Sequence, residues 1–118
     1  MEILSCLHLR AKDLFMTDQE LLNKYKSTED SRAFGELYSR YYHLVYLVSM
    51  KYLKNDSDAK DMANNVFIKV MKDVHRFEIK NFKSWLSQVT RNACLMHIRD
   101  KKTSSVEFEE KYAEEEEN

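Results

Sequence analysis

The sequence has almost none of the residues that interrupt helices. Among its 118 residues there is no proline, and the single glycine is Gly35. Sheets need turns, which glycine and proline mostly supply, so their scarcity favours helices joined by short connections. The length suits one domain with a modest core. We therefore predict a single all-α domain.

Cysteine is scarce as well, and neither Cys6 nor Cys94 lies at a zinc-binding spacing. The four histidines form no metal-binding pattern such as HExxH. The chain has no nucleophile elbow and no glycine-rich phosphate loop. We therefore predict no catalytic residue, no metal and no cofactor.

Long apolar runs are also missing. The apolar stretch within residues 1–10 follows an acidic residue instead of basic ones, and it is too short to cross a membrane. Together with the scarcity of cysteine, this favours a cytoplasmic protein with reduced thiols and no membrane span.

Charge is unevenly distributed, although the net charge of the chain is only -1. Between Lys69 and Lys102 nine basic residues stand against three acidic ones, whereas from Thr103 onward seven glutamates stand against Lys111 alone. A basic segment followed by an acidic tail suggests a nucleic-acid partner. We expect residues 103–118 to form a disordered acidic linker, because too few apolar side chains remain there to offset the entropy of ordering.

Apolar residues at helical spacing predict four helices between the N-terminal residues and the acidic tail. Their predicted capping residues are Thr17 or Asp18, Ser27 or Thr28, Asp56 or Ser57, and Asn81. The first helix is short, over residues 18–26, and follows an N-terminal extension at residues 1–15. The second runs to about Leu53, and the fourth ends in the cluster at residues 99–102. Residues 75–81, here called the connector, have no helical phase. The expected fold is a bundle of three main helices plus a short N-terminal one.

Two apolar stripes predict which helix sides face the core. On the third helix the stripe comprises Ala59, Met62, Ala63, Val66, Val70 and Val74, with Phe67 and Met71 on its shoulder. On the fourth it comprises Phe82, Trp85, Leu86, Val89, Ala93 and Met96. We assign six residues to the centre of the core: Phe34, Tyr38, Val66, Phe77, Trp85 and Leu86.

Three sets of residues off these stripes are candidates for function. On the third helix, Asp61, Asn65 and Ile68 share a mixed polar and apolar face that suits a partner helix, although it also suits a solvated surface. From His75 to Trp85, the connector and the start of the fourth helix combine cations with the rings of Phe77, Phe82 and Trp85. Such a combination can hold phosphates and unstacked bases. The alternative is a loop whose Phe77 and Trp85 anchor the core.

The third set is a row of cations and amides opposite the apolar stripe of the last helix. It comprises Ser84, Gln88, Arg91, Asn92, Arg99 and Lys102. Amides can read base edges and arginine can reach phosphates. The alternative is that cations at a helix C-terminus are favourable without any ligand.

Three stretches then occur in an order and at intervals that match one protein family. They are Phe34…Leu37-Tyr38, DAKD…VFIKV at residues 58–70, and FKSWLSQVTRN…IR at residues 82–99. Over about residues 20–102 the chain resembles region 2 of the extracytoplasmic-function sigma factors, which are small bacterial initiation factors of the sigma-70 superfamily. In that family acidic and glutamine residues are typical where this chain has Lys60, Asn64 and Asn65.

The resemblance implies two binding surfaces on one scaffold. The third helix is implied to dock on the clamp helices of the RNA polymerase β′ subunit, through Asp58, Asp61, Asn64, Asn65, Ile68 and Lys69. The connector and the last helix are implied to hold the non-template strand of the minus-ten promoter element. The residues implied for DNA are His75, Arg76, Lys80, Asn81, Lys83, Gln88, Arg91, Asn92, Arg99 and Lys102. Melting then follows from preferential binding of the open strand, without chemistry.

Two further functions fit the same residues. One is a protein-binding module that takes an anti-sigma factor without promoter activity, and the other is a general binder of single-stranded DNA. Nothing after Lys102 resembles the helix-turn-helix domain that reads the minus-thirty-five element in this family. The chain is therefore expected to be either a fragment or a region 2 that works alone.

Overall fold

The computed structural model describes residues 15–108 of the chain. Within that range the protein is helical and contains no strand, which confirms the predicted all-α class. The elements are α1 (Asp18–Thr28), α2 (Ser31–Ser39), α3 (Tyr42–Leu53), α4 (Asp56–Asp73), a 3-10 helix (Val74–Arg76) and α5 (Phe82–Phe108). Most of the predicted N-terminal extension, and the glutamates after residue 108, lie outside the described residues.

Helix α1 begins where the sequence predicts. The Thr17 hydroxyl accepts a hydrogen bond from the Glu20 backbone N–H at 3.1 Å, and the Glu20 carboxylate accepts one from the Thr17 N–H at 2.8 Å. This reciprocal capping box satisfies two backbone donors at the helix start. The helix continues to Thr28, beyond its predicted end, and Glu29 terminates it with a left-handed backbone at φ 60°.

The single long helix predicted up to Leu53 is in fact two helices, α2 and α3. Neither Ser27 nor Thr28 caps α2, because both belong to α1. Asp30 caps it instead, and its carboxylate accepts a hydrogen bond from the Arg32 N–H at 3.0 Å. The bundle therefore has one main helix more than the three predicted.

A contact with α1 accounts for the break between α2 and α3. The N–H groups of Arg40 and Tyr41 bond three residues back, to Leu37 and Tyr38, in the tight pattern that closes a helix. The Tyr41 hydroxyl donates to Asp18, and Arg40 pairs with the same carboxylate at 3.0 Å. The hydrogen bond to Asp18 raises the pKa of Tyr41 above its ordinary value, with a further contribution from burial. Tertiary contact thus sets the bend, since the chain has no helix breaker here.

Asparagine caps the two longest helices. The Asn55 side chain accepts a hydrogen bond from the N–H three residues on at 2.8 Å, so the predicted caps Asp56 and Ser57 already belong to α4. Asn81 caps α5 as predicted, accepting the corresponding bond at 2.9 Å. Each cap satisfies a donor that the first helical turn leaves free.

Helix α5 is longer than predicted. It continues to Phe108 instead of ending at Lys102, so residues 103–108, assigned to the disordered linker, are helical. Its 27 residues span about 40 Å at the rise of an α-helix. Because every side chain from Leu95 to Lys102 is exposed, this stretch of α5 lies outside the core.

An aromatic cluster joins four of the helices. Phe34 is fully buried on α2. Its ring centroid lies 5.0 Å from that of Tyr25 on α1, 6.4 Å from Tyr38, 5.9 Å from Phe67 on α4 and 6.0 Å from Phe82 on α5. The buried Tyr38 hydroxyl donates to the Ala63 carbonyl at 2.7 Å, so this polar atom has a partner. Phe34 is therefore the centre of the core.

The core assignments are largely confirmed. Phe34, Tyr38, Val66 and Leu86 are buried. The assignment of Phe77 to the core was wrong, because the residue is 45% exposed. Trp85 is only partly buried against the core. Two other residues take up the space: Ile79 of the connector and Phe67, predicted on the shoulder, are both buried.

The buried side of α5 is rotated from its predicted stripe. It comprises Phe82, Leu86, Thr90 and Cys94. Trp85, Val89 and Ala93 lie on its flank, and Met96 is 52% exposed instead of buried. The Thr90 hydroxyl donates to the Leu86 carbonyl at 2.8 Å, and the Cys94 Sγ contacts the Ser49 Oγ at 3.7 Å. These partners let polar residues occupy the core side of the helix.

Candidate functional site

The outer side of α4 is a contiguous exposed surface. Asp61, Asn64, Asn65 and Ile68 lie there within two helical turns, and we call them the α4 face. Ile68 is 56% exposed, so it places a large apolar side chain among polar neighbours. Such a mixture suits contact with a protein partner. Asp58, predicted with them, is partly buried in the first turn of the helix.

Asp61 supplies the negative charge of the α4 face. The carboxylate of the nearby Asp56 already has partners within the protein. It accepts a hydrogen bond from the Tyr46 hydroxyl and pairs with Lys60 Nζ at 3.3 Å. These two contacts hold the pKa of Asp56 below its ordinary value. Asp61 has no ion pair within residues 15–108, so its charge is available to a partner.

An open groove of about 520 Å³ runs between the second half of α4 and one flank of α5. The α4–α5 groove is lined by Lys69, Asp73, Phe77, Trp85, Val89, Asn92, Ala93, Met96, His97 and Asp100. Lys69 therefore lies between the groove and the α4 face. It is four residues after Asn65, which places it about 40° around the helix from that residue. In the groove its Nζ pairs with Asp73 at 3.0 Å.

Aromatic rings form one end of the groove. The centroids of Phe77 and Trp85 lie 6.2 Å apart with their planes tilted by 51°. The Arg76 guanidinium lies 5.3 Å from the Phe77 centroid, so a cation covers part of this exposed ring. Exposed ring faces beside a cation and the Asn92 amide are the groups that hold an unstacked base.

Amides and an arginine form a hydrogen-bonded row along α5. Gln88 donates to the Asn92 side-chain oxygen at 3.3 Å and accepts a bond from the Arg91 guanidinium. Asn92 and Gln88 are exposed, and Arg91 is partly buried. Because both bonds connect side chains at the surface, they orient the row without withdrawing it from solvent. Arg99 lies on the same side of the helix as Asn92, about two turns further on.

The remaining cations predicted for DNA do not form one patch. Lys83 precedes Gln88 by five residues, which places it about 140° around α5 from the row. Lys80 is exposed in the connector, whereas the acceptor oxygen of Asn81 is used in capping α5. Lys102 is exposed on the outer half of α5.

Two connector side chains predicted for DNA, His75 and Arg76, have protein partners. His75 Nε2 lies 3.4 Å from a Glu29 carboxylate oxygen. Arg76 lies 3.8 Å from Asp73 with its side chain 71% exposed, which is a weak surface contact. The structure therefore brings together the groove and the amide row, and it leaves His75 and Lys83 apart from them.

The sequence did not reveal the groove. Val89, Ala93 and Met96 are apolar at helical spacing, so they were assigned to the core. The available signal was length: the 27 residues of α5 extend beyond what the 18 residues of α4 can cover. When the apolar stripe of one helix extends beyond the end of the helix packed against it, the last residues of that stripe remain uncovered.

Neither a metal centre nor a membrane span emerges from the described part of the chain. In residues 15–108 no three His, Cys, Asp or Glu side chains are grouped so that they could hold a metal ion. None of the described helices combines the length and the apolar character needed to cross a bilayer.

An exposed face on one helix, beside an aromatic groove and a row of amides and cations, defines a small helical binding module. The chain belongs to the sigma-70 region 2 family, whose model matches residues 37–103, more than half of the chain. That family is part of the sigma factors, which are non-enzymatic transcription regulators acting in initiation.

Curated relatives carry the same description. The chain is 30% identical over 74 residues to the ECF RNA polymerase sigma factor SigW of Bacillus subtilis, covering 62% of this chain and 40% of that protein. It is 30% identical over 67 residues to SigM of the same organism, covering 57% and 41%. It is 28% identical over 78 residues to SigE of Mycolicibacterium smegmatis, covering 64% and 30%. The chain thus spans less than half the length of these relatives. No solved structure matched it.

Proposed function

We propose that this domain binds the separated non-template strand of a minus-ten promoter element while the α4 face docks on the clamp helices of the RNA polymerase β′ subunit. The observation that carries the proposal is the pairing of the exposed Phe77 ring with the partly buried Trp85 ring at the end of a groove beside the Gln88–Asn92 row. The α4 face points in another direction, so both partners fit at once.

Each part of the strand site has a distinct task in this proposal. The rings of Phe77 and Trp85 stack on an unstacked base, and the Asn92 amide bonds to its edge. Arg91, Arg99 and Lys102 neutralise backbone phosphates along α5, as Lys80 does in the connector. The stacking and base-edge contacts exist only when the base is outside the duplex, whereas the phosphate contacts form with either a duplex or a single strand.

Melting follows from that difference in affinity. A module that binds the open strand better than the duplex shifts the equilibrium toward the open form by the ratio of the two affinities. Extruding a base costs a few kcal/mol, and stacking on an aromatic ring returns about 1–3 kcal/mol per base. Docking on polymerase raises the local concentration of the domain at the promoter and adds to this effect.

Binding to a randomised single-stranded DNA pool tests the nucleic-acid part. We expect selection on this domain to enrich one short motif. We also expect fluorescence anisotropy to show tighter binding to the enriched strand than to its scrambled version or its duplex. Equal affinity for enriched and scrambled strands, with a steep dependence on salt, would instead assign the domain as a general single-strand binder.

Reversing the charge of Asp61 tests the polymerase part. We expect Asp61→Arg to weaken binding to core polymerase by about tenfold or more, because a cation replaces the unpaired carboxylate on the α4 face. The helical circular dichroism signal should stay unchanged, since the residue is exposed. Glu78→Arg makes the same charge change away from this face and should bind core polymerase normally. Equal binding by both variants would remove Asp61 from the interface.

A second candidate is a module that binds an anti-sigma factor without promoter activity. The observation that favours it is a pair of exposed apolar residues on the outer half of α5 and outside the groove, Leu95 at 48% and Ile98 at 38% exposed, which are three positions apart on the helix. Exposed apolar groups of this size mark protein-binding surfaces when they cluster. This candidate predicts that purified core polymerase is not retained by the immobilised domain, whereas the first proposal predicts retention.

A further inference from the structure

Three side chains from the last turn of α1 reach across to the end of α4 and the connector. The Tyr25 hydroxyl donates to the Met71 carbonyl at 2.9 Å, and Lys26 Nζ donates to the Phe77 carbonyl at 2.9 Å. The Glu29 carboxylate meets His75 at 3.4 Å, and the His75 ring packs on Tyr25 with centroids 5.1 Å apart. Four contacts from one helical turn converge on residues 71–77.

The backbone of Glu29 points to a use for its side chain. Glu29 ends α1 in the left-handed conformation, with φ 60° and ψ 28°. Glycine or asparagine occupies this position at lower cost, since a larger side chain crowds the backbone there. The carboxylate at this position is the one that meets His75. A costly backbone conformation that persists suggests a function for the residue that holds it.

The connector is fixed on both sides of Glu78. Before it, the Phe77 carbonyl is held by Lys26, and after it, the Ile79 side chain is 5% exposed in the core. Phe77 itself has an extended backbone and a ring that is 45% exposed. The backbone is therefore restrained while the ring remains available at the end of the groove.

One of these donors keeps its proton at neutral pH and above. A tyrosine hydroxyl is protonated near neutral pH in any environment of this kind. Tyr25 is 5% exposed, and burial together with the nearby Glu29 charge raises the pKa of its hydroxyl further, so it continues to donate to Met71. The link between α1 and the end of α4 is constant over that range.

We propose that the last turn of α1 is a positioning element that holds Phe77 beside Trp85, so that the α4–α5 groove is formed before the strand arrives. Tyr25, Lys26 and Glu29 are its positioning residues, and none of them needs to touch DNA. A preformed groove binds more tightly because the connector is not ordered at the moment of binding. The inference rests on the proposed function of the groove, and it gives a role to a helix that lies before the matched residues 37–103.

Lys26→Met tests this role, because methionine keeps a long unbranched stem and removes the donor. Trp85 is the single tryptophan of the chain, so its emission in the free protein reports on the neighbouring Phe77 ring. We expect Lys26→Met to increase acrylamide quenching of Trp85 and to weaken binding of the enriched strand by about threefold to tenfold, as loss of preorganisation predicts. Lys26→Arg retains a donor and should restore both signals. Lys51→Met removes an exposed charge elsewhere and should change neither.

Glu29→Gly separates positioning from stability. Glycine relieves the left-handed backbone, so we expect the melting temperature to stay the same or rise. Losing the contact with His75 should nevertheless increase the quenching of Trp85 and weaken strand binding. A lower melting temperature with unchanged quenching would mean that Glu29 is only structural and would overturn the proposal.

A direct DNA contact by Lys26 gives a different result. It would leave Trp85 quenching in the free Lys26→Met variant unchanged and reduce the slope of log affinity against log salt by about 0.7. Wild-type quenching and affinity in Lys26→Met would also overturn the positioning role, provided that the wild type prefers the enriched strand. A wild type without that preference would instead contradict the proposed function itself.

Discussion

Phe34→Ala is expected to lower the free energy of unfolding by about 3–5 kcal/mol, the cost of emptying a fully enclosed aromatic site. Phe34 is 0% exposed, and its ring lies within 6.4 Å of four other rings from four different helices. Truncation removes those contacts and leaves a cavity that helices fixed by their own packing cannot close. For a domain of this size the loss is a large share of a total stability of about 5–15 kcal/mol.

Urea unfolding followed by circular dichroism measures this loss, and Phe77→Ala is its matched control. The same ring is removed from a position that is 45% exposed, so the change in stability should be less than about 1 kcal/mol. The control should still weaken strand binding, because Phe77 is in the groove. Equal destabilisation by the two substitutions would contradict the assignment of Phe34 to the core and Phe77 to the surface.

The contrast between these two phenylalanines shows what periodicity could and could not predict. Phe34 lies in a helix whose apolar residues recur every three or four positions, so its burial follows from the pattern. Phe77 lies in a segment without a helical phase, where hydrophobicity was the only guide. Ile79, two residues later, is the connector residue that is buried in the core, and periodicity gave no basis for choosing it over Phe77.

The break between α2 and α3 marks a second limit of the sequence. A helix end is predictable when a cap, a glycine or a proline marks it, as at Thr17 and Asn81. At Arg40 and Tyr41 the determining group is the carboxylate of Asp18, more than twenty residues earlier in the chain. Rules based on neighbouring residues cannot predict a contact between residues so far apart in the sequence.

The candidate site also has one part that local sequence patterns predict and one part that they do not. The α4 face could be predicted, because residues three and four apart on an exposed helix side remain neighbours. The groove could not, because it depends on how far α5 extends past α4 and on which ring of the connector turns outward. Its central residue, Trp85, was predicted as core for the same reason that Val89 and Ala93 were: all are apolar at helical spacing.

Trp85→Ala therefore has an expected effect opposite in kind to that of Phe34→Ala. The Trp85 ring is only partly buried, so its removal should cost about 1–2 kcal/mol of stability and leave the domain folded. Binding of the enriched single strand should weaken by about 5-fold to 150-fold, the equivalent of losing one base–aromatic stack of about 1–3 kcal/mol. Anisotropy titrations at fixed salt, with the fold checked by circular dichroism, measure both effects.

Trp85→Phe distinguishes a ring that binds from a ring that fills space. Phenylalanine keeps a flat π face in the groove, so it should recover a large part of the strand affinity. Binding of core polymerase should be the same for the wild type, Trp85→Ala and Trp85→Phe, since no residue of the α4 face lines the groove that contains Trp85. A folded Trp85→Ala domain that binds the strand as tightly as the wild type would move recognition out of the groove. In that case the cations of α5 would have to hold the strand by charge alone. Binding by charge does not distinguish sequences, so the preference for the enriched strand should then be absent.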